Sequence, residues 1–285
     1  MITQYQHDRI AITFRGDEDP VVAGSTSPDF REKLRTVVGD GTIVCPASDH
    51  LGGVSITGKG HLNGLDELFN DSGDAFIIIL PADYSGKIHG VIRTRDCGNN
   101  VGFVSNKDYQ AIFGFHSSSH TEFGCNAFGQ DGRPTGKASF DGPITQRVLG
   151  LLKHFMGFNL GQCHIFLGPS LGGYVSECRC YEYTELPNQP DGTKLIHDIL
   201  RAYPNMEPNL DGLIGRRSDA DKLFFDMGQF IPLILEKFGI PPDNIHRESN
   251  FCTFCTPGYH SDRRSRHTTP DRNERPNNLA IITIN

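Results

Sequence analysis

Residues 92–120 read IRTRDCGNNVGFVSNKDYQAIFGFHSSSH. One apolar run leads to a turn that carries Cys97, and a second, over residues 110–115, delivers His116 just past its end. Two metal-capable side chains are thus expected at the ends of neighbouring segments. A thiolate is a soft ligand and an imidazole a borderline one, so the pair suits zinc, and it suits equally a cysteine nucleophile with a histidine base. A third group is needed to decide between them.

Outward from this stretch the pattern is rich in strands. Alternation over residues 9–14, RIAITF, predicts a strand that ends on Arg15 before an acidic loop. Residues 42–45 and 54–57 are short strand candidates flanking the loop PASDHLGGV, which carries His50. The run SGDAFIIIL at 72–80 predicts a turn and a strand buried on both faces, and residues 88–94 continue the pattern. After about residue 140 helices enter. Asp141, Gly142 and Pro143 form a start signal, followed at helical spacing by Ile144, Val148, Leu151, Leu152 and Phe155.

Residues 162–167, QCHIFL, predict a strand whose packing absorbs Cys163 and His164, leading into the reversal GPSLGG. A short helix is expected around Leu195–Leu200, another around Phe230–Phe238 with Pro232 in its first turn or kinking it, and a terminal strand over 279–284. Strands and helices are interspersed without clean βαβ alternation, which gives mixed α and β.

Composition excludes several classes. The 285 residues suffice for a sizeable core, and 37% apolar residues with 32 glycines describe an ordinary globular chain. A formal net charge of −7 offers no global basic field to nucleic acid or an anionic membrane. No apolar run approaches the ~18 residues of a membrane span, and no basic, apolar leader opens the chain, so a cytoplasmic protein is expected. Eight scattered cysteines fit reduced thiols rather than a disulfide scaffold.

Other motifs carry less. Cys252 and Cys255 form a C-x-x-C with His260 nearby, but the second half of a zinc ribbon is missing. His116 and His120 lack the intervening glutamate of H-E-x-x-H. None of the twelve histidines forms an H-x-H pair, which disfavours a multicopper oxidase centre. The arginine-rich loop over 261–275 is either a solvated surface or an anion clamp through Arg263 and Arg264.

Taken in order, DHLGGV, RTRDCG, FGFHSSSH, FLGPSLGG and CTFCTPGYHSDRR resemble the YfiH-like laccase-domain family, also called multicopper polyphenol oxidoreductases. The resemblance implies one α+β domain over residues 1–285, a sandwich with a mixed sheet core covered by helices, similar to the cytotoxic-necrotising-factor-like fold. It also implies a zinc ion held by His50, Cys97 and His116, with Glu177 as an acid beside it and Arg15, Arg263 and Arg264 as phosphate-binding residues. Three ligands from separate loops would leave a fourth position for water or substrate, the pattern of a catalytic zinc. Departures from the family pattern lie close to the site: the chain has no tryptophan, glycine follows Cys97, and Asn99 stands where proline is usual.

The activity implied is phosphorolysis of adenosine, inosine or methylthioadenosine, with adenosine deamination beside it, so the expected partners are a purine nucleoside and phosphate. Three other enzyme readings are a peptidoglycan-precursor editing hydrolase, a metal-free hydrolase using Cys97 and His116, and a copper-dependent polyphenol oxidoreductase. A metal-stabilised binding protein is the non-enzymatic reading.

Overall fold

The structure, a computed structural model, describes residues 2–16, 28–46, 54–58, 67–70, 73–125, 127, 140–172, 182–183, 193–216, 223–261, 264 and 277–285. The first half is almost all strand: β1 (Ile2–His7), β2 (Ile10–Arg15), β3 (Thr42–Pro46), β4 (Val54–Gly58), β5 (Glu67–Asn70), β6 (Ala75–Pro81), β7 (Ile88–Thr94), β8 (Gly98–Ser105) and β9 (Tyr109–Ser117), with one helix, α1 (Pro28–Val38), between β2 and β3. Helices follow: α2 (Ser119–Phe123), α3 (Ile144–Gly150), α4 (Thr193–Ala202), α5 (Leu210–Leu213) and α6 (Met227–Lys237). Among them run the strands β10 (His164–Leu167), β11 (Glu182–Tyr183), β12 (Ile214–Arg216), β13 (Leu223–Phe225) and β14 (Ile245–His246), and β15 (Asn278–Ile284) closes the chain.

Among the described residues two six-stranded mixed sheets form, ordered β1-β2-β15-β7-β3-β5 and β14-β10-β8-β9-β6-β4, with a small third sheet of β11, β13 and β12. The two large sheets face each other. Ile12, Phe14, Ile92 and Ile282 from the first meet Phe76, Ile78, Val101 and Ile112 from the second in one buried cluster. Each such side chain contributes roughly 1.5–3 kcal/mol on leaving water. The outer face of the second sheet carries the largest cluster, where Phe113, Phe115 and Ile165 pack on Val148, Leu152, Leu195, Ile199, Phe230 and Ile234 from α3, the turn that follows it, α4 and α6. The outer face of the first sheet is covered by Phe30 and Leu34 of α1. The layers therefore run helix, sheet, sheet, helix, which is the α+β sandwich expected.

Close approach of the sheets depends on two glycines. A Cβ at Gly90 in β7 would lie 2.3 Å from the Phe76 ring, and one at Gly114 in β9 would lie 2.6 Å from it. Without side chains at both positions, the ring of Phe76 fits between strands of opposite sheets.

The expected strands at 9–14, 42–45, 54–57, 88–94, 110–115, 162–167 and 279–284 are present within a residue or two, and that at 72–80 starts at Ala75. The helix expected from Pro143 is α-helical to Gly150 and continues as a π-helical turn over Leu151–Phe155. β1, α1, β5 and β8 were not expected. β8 changes the geometry of the opening stretch, because residues 92–94 and 110–115 belong to different sheets. Cys97 sits where the chain crosses from one sheet to the other, and it is β8 that lies beside β9 and brings Cys97 to His116.

Candidate functional site

One end of the sandwich collects the segments that carry chemistry. β2, β3 and β7 all finish there, at Arg15, Pro46 and Thr94, since β3 and β7 are parallel and β2 runs antiparallel to β15, which itself opposes β7. In the second sheet β9 and β10 end there at Ser117 and Leu167, while β6 and β8 begin.

The Cys97 turn is tied down on several sides. Thr94 Oγ1 donates to the Cys97 carbonyl at 2.7 Å, Thr253 Oγ1 donates to Asp96 Oδ1 at 2.9 Å, and the Leu171 amide donates to the Asp96 carbonyl at 2.5 Å. Asn278, at the start of β15, clamps the neighbouring segment through its side-chain amide, which donates to the carbonyls of Arg95 at 2.6 Å and His260 at 2.7 Å. Cys97 is thus half-buried, unbridged, and fixed by the turn after β7, the segment after β10 and the 252–260 region.

His116 is buried and faces Cys97. Its Nδ1 lies 2.8 Å from Asp74 Oδ1, and its own amide donates to the Asp74 carbonyl at 2.8 Å. Asp74 is fully buried at the start of β6, directly across from His116 on β9. Burial alone would lower the His116 pKa, but the facing Cys97 sulfur and the Asp74 carboxylate outweigh it and push it up to about 10. From behind, Thr121 Oγ1 donates to the His116 carbonyl at 2.8 Å, and Thr121 also closes a capping box with Ser118 at the start of α2.

Held at Nδ1 by a carboxylate, His116 presents Nε2 as the coordinating nitrogen, the carboxylate–histidine arrangement found behind many metal ligands. A thiol, an imidazole and a buried orienting carboxylate are a donor set that fits zinc. Among the described residues no three His, Cys, Asp or Glu side chains stand together as a ready-made metal group. The third expected ligand, His50, lies outside the described residues, as do Glu177 and Arg263.

Arg15 closes β2 at the site end and reaches the Val37 carbonyl of α1 at 3.5 Å. Arg264 directs its guanidinium to the carbonyls of Phe254 and Tyr259, bracing the 252–260 segment. The expected C-x-x-C is split by its surroundings: Cys252 is buried and accepts from the Gly172 amide at 3.3 Å, whereas Cys255 is exposed.

Sequence reasoning missed Asp74 and Glu122. Asp74 sits in a turn before an apolar run, where an aspartate is expected for turn chemistry alone. Glu122 is fully buried in α2, beneath the opposite face of the second sheet. It accepts from Ser117 Oγ at 3.0 Å, Thr145 Oγ1 at 2.6 Å and Tyr203 Oη at 2.5 Å. Ser117 in turn accepts from Asn100 Nδ2 at 2.9 Å, and both line a small cavity of about 10 Å³ with Gly98, Ser170 and Asn250.

The family model of the multi-copper polyphenol oxidoreductase laccases matches residues 135–271. Three solved structures share the fold at 14% sequence identity. NMB0706 of Neisseria meningitidis has a TM-score of 0.61, with 100% of this chain and 99% of that one covered. YfiH of Bacillus licheniformis has a TM-score of 0.63, covering 98% and 94%. At this identity these structures show a shared fold, and the family model matches the second half of the chain. YlmD of Geobacillus stearothermophilus superposes over 99% of this chain and 98% of its own length, with a TM-score of 0.61. No curated protein matches the chain. The family match begins after His116, so the pairing of Cys97, His116 and Asp74 rests on the geometry of this chain itself.

Proposed function

We propose that the chain is a zinc-dependent purine nucleoside enzyme whose centre is built on Cys97 and His116, with His50 as third ligand. The observation that carries this reading is the line from Asp74 through His116 to Cys97, in which a buried carboxylate fixes one nitrogen of an imidazole whose ring faces a thiol. Zinc, when bound there, would polarise a water or a substrate oxygen and lower the pKa of that water toward ~7.

The chain's own residues supply the rest. Asp74 sets the ring orientation and tautomer of His116. Thr121 holds the strand end, and the tied turn around Asp96 fixes the sulfur. Arg15, Arg263 and Arg264 would hold phosphate for phosphorolysis, and Glu177 would carry a proton. The name of the matching family points to copper, but a thiol on a turn and an imidazole at a strand end, with no H-x-H pair in the chain, is a donor set better matched to zinc.

The test is turnover of adenosine, inosine and methylthioadenosine with and without inorganic phosphate. Free base and the sugar 1-phosphate, ribose 1-phosphate from adenosine and inosine and 5-methylthioribose 1-phosphate from methylthioadenosine, formed only with phosphate present is the expected result, with ammonia release from adenosine as a companion. Arg264→Ala should raise the Michaelis constant for phosphate, and an unchanged constant would remove Arg264 from the phosphate site.

The same line of residues favours a second reading. Cys97, His116 and Asp74 stand in the order nucleophile, base and orienting carboxylate of a cysteine hydrolase. That enzyme would be inactivated by thiol alkylation, would be indifferent to chelators, and would need no phosphate.

A further inference from the structure

Three imidazoles meet at the edge of the sandwich, well apart from Cys97. His7 closes β1, the outer strand of the first sheet, while His164 opens β10 and His246 closes β14, the outer pair of the second. His164 lies across from Phe103 in β8, six residues beyond Cys97, which at about 3.3 Å per residue is roughly 20 Å along the strand.

The rings form an ordered stack. His246 lies on Phe166 at a centroid distance of 4.1 Å, His164 lies on Phe103 at 5.0 Å, and His7 lies on Phe103 at 5.0 Å and 5.4 Å from His164. His164 Nδ1 and His246 Nε2 are 3.2 Å apart. Two nitrogens bound to one zinc at ~2.0–2.1 Å in a tetrahedral arrangement stand about 3.3 Å from each other. The separation, spanned here by a hydrogen bond, matches the spacing of two ligands of a single ion.

We propose that His164 and His246 chelate a divalent transition ion such as zinc, with His7 turning in as third ligand, so that the ion clips the edges of the two large sheets together. In the metal-free chain one of the two facing nitrogens carries the hydrogen that the other accepts. When the ion takes its place, that hydrogen moves to the other nitrogen of its own ring, so two neutral imidazoles need lose no proton. As placed, the three rings are not a ready-made metal group, and His7, with 53% of its side chain exposed and its Nε2 3.9 Å from Asp8 Oδ2, is the ring that must turn to complete one.

The surroundings keep the pair in ligand form. Burial lowers the pKa of His164, and His246 and His7 lower it further. Burial also lowers that of His246, against an upward pull from the Glu248 carboxylate and with a further push down from His7. Tyr5, on the same strand as His7, packs on Phe166 and shares a hydrogen bond with Ser249 at 2.8 Å, so its hydroxyl is already engaged.

The test is calorimetric titration of zinc chloride into the full-length Cys97→Ala chain, which lacks the thiol of the other centre. One exchangeable zinc per chain is expected, bound about tenfold or more weakly by His164→Ala and by His246→Phe in the same background. The phenylalanine keeps a ring on Phe166 while removing the ligand, so loss of binding there does not come from a collapsed stack. Added zinc should raise the thermal midpoint of Cys97→Ala and leave that of the His246→Phe variant unmoved. No binding by Cys97→Ala, or equal binding with both histidines replaced, would overturn the clip, and equal affinity in His7→Ala would overturn the part given to His7. None of these outcomes depends on whether zinc sits at Cys97.

Discussion

Asp74 and Glu122 are both fully buried carboxylates, and they serve opposite faces of the same sheet. Asp74 meets the imidazole of His116, which faces the thiol of Cys97. Glu122 meets the hydroxyls of Ser117, Thr145 and Tyr203 and the backbone amide of Thr145, and no base. Burial raises the Glu122 pKa, and those hydroxyls pull it only part of the way back. The contrast shows that a buried acid is not by itself a mark of chemistry. A carboxylate paired with a base orients a reactive group, whereas one shared among hydroxyls joins α2, α3, β9 and the residue that follows α4 into a single packed unit.

Three changes would break or sharpen this contrast. Replacing Glu122 by leucine strands three buried hydroxyls, each costing roughly 1 kcal/mol or more. A loss of about 3 kcal/mol in urea unfolding is therefore expected, with zinc content unchanged. Loss of zinc at full stability would mean that Glu122 belongs to the site after all.

Asp74→Asn should act the other way, lowering zinc affinity about 10- to 100-fold, the usual effect of losing a carboxylate behind a histidine ligand. Equilibrium competition with a zinc indicator would read it. An unchanged affinity would reduce Asp74 to a packing residue.

The smallest effect concerns pH. A carboxyl whose folded pKa lies above its ordinary value of 4.5 contributes its full stability below that value, and loses it as pH rises through the folded one. The advantage of the wild type over Glu122→Gln should accordingly be largest near pH 4.5 and shrink on raising the pH. Unfolding free energies measured across that range would check it, and a difference independent of pH would contradict the assignment.

Much of this was legible in the sequence, for physical reasons that differ by residue. Cys97 and His116 stood out because each follows an apolar run, and strand ends are where side chains escape the core. The α+β class followed from the short runs of the first half and the helical spacing after Pro143. β8 was hidden because GNNVGFVS carries two asparagines, and these are buried: Asn99 lies across from His116 and Asn100 bonds to Ser117 on the other face. α1 could have been found, since Phe30, Leu34, Val37 and Val38 recur at helical spacing and do pack together. Asp74 could not, because only the pairing of β6 with β9 sets it beside His116, and no local pattern encodes that register.

The most direct test of the account is the metal content of the purified chain after dialysis against zinc-free buffer, compared with that of Cys97→Ala. About one retained zinc per chain, absent from the variant, is the predicted result. A wild-type chain that holds no metal, or a variant that retains as much, would contradict the zinc centre and leave Cys97, His116 and Asp74 as a nucleophile, its base and the carboxylate that orients it.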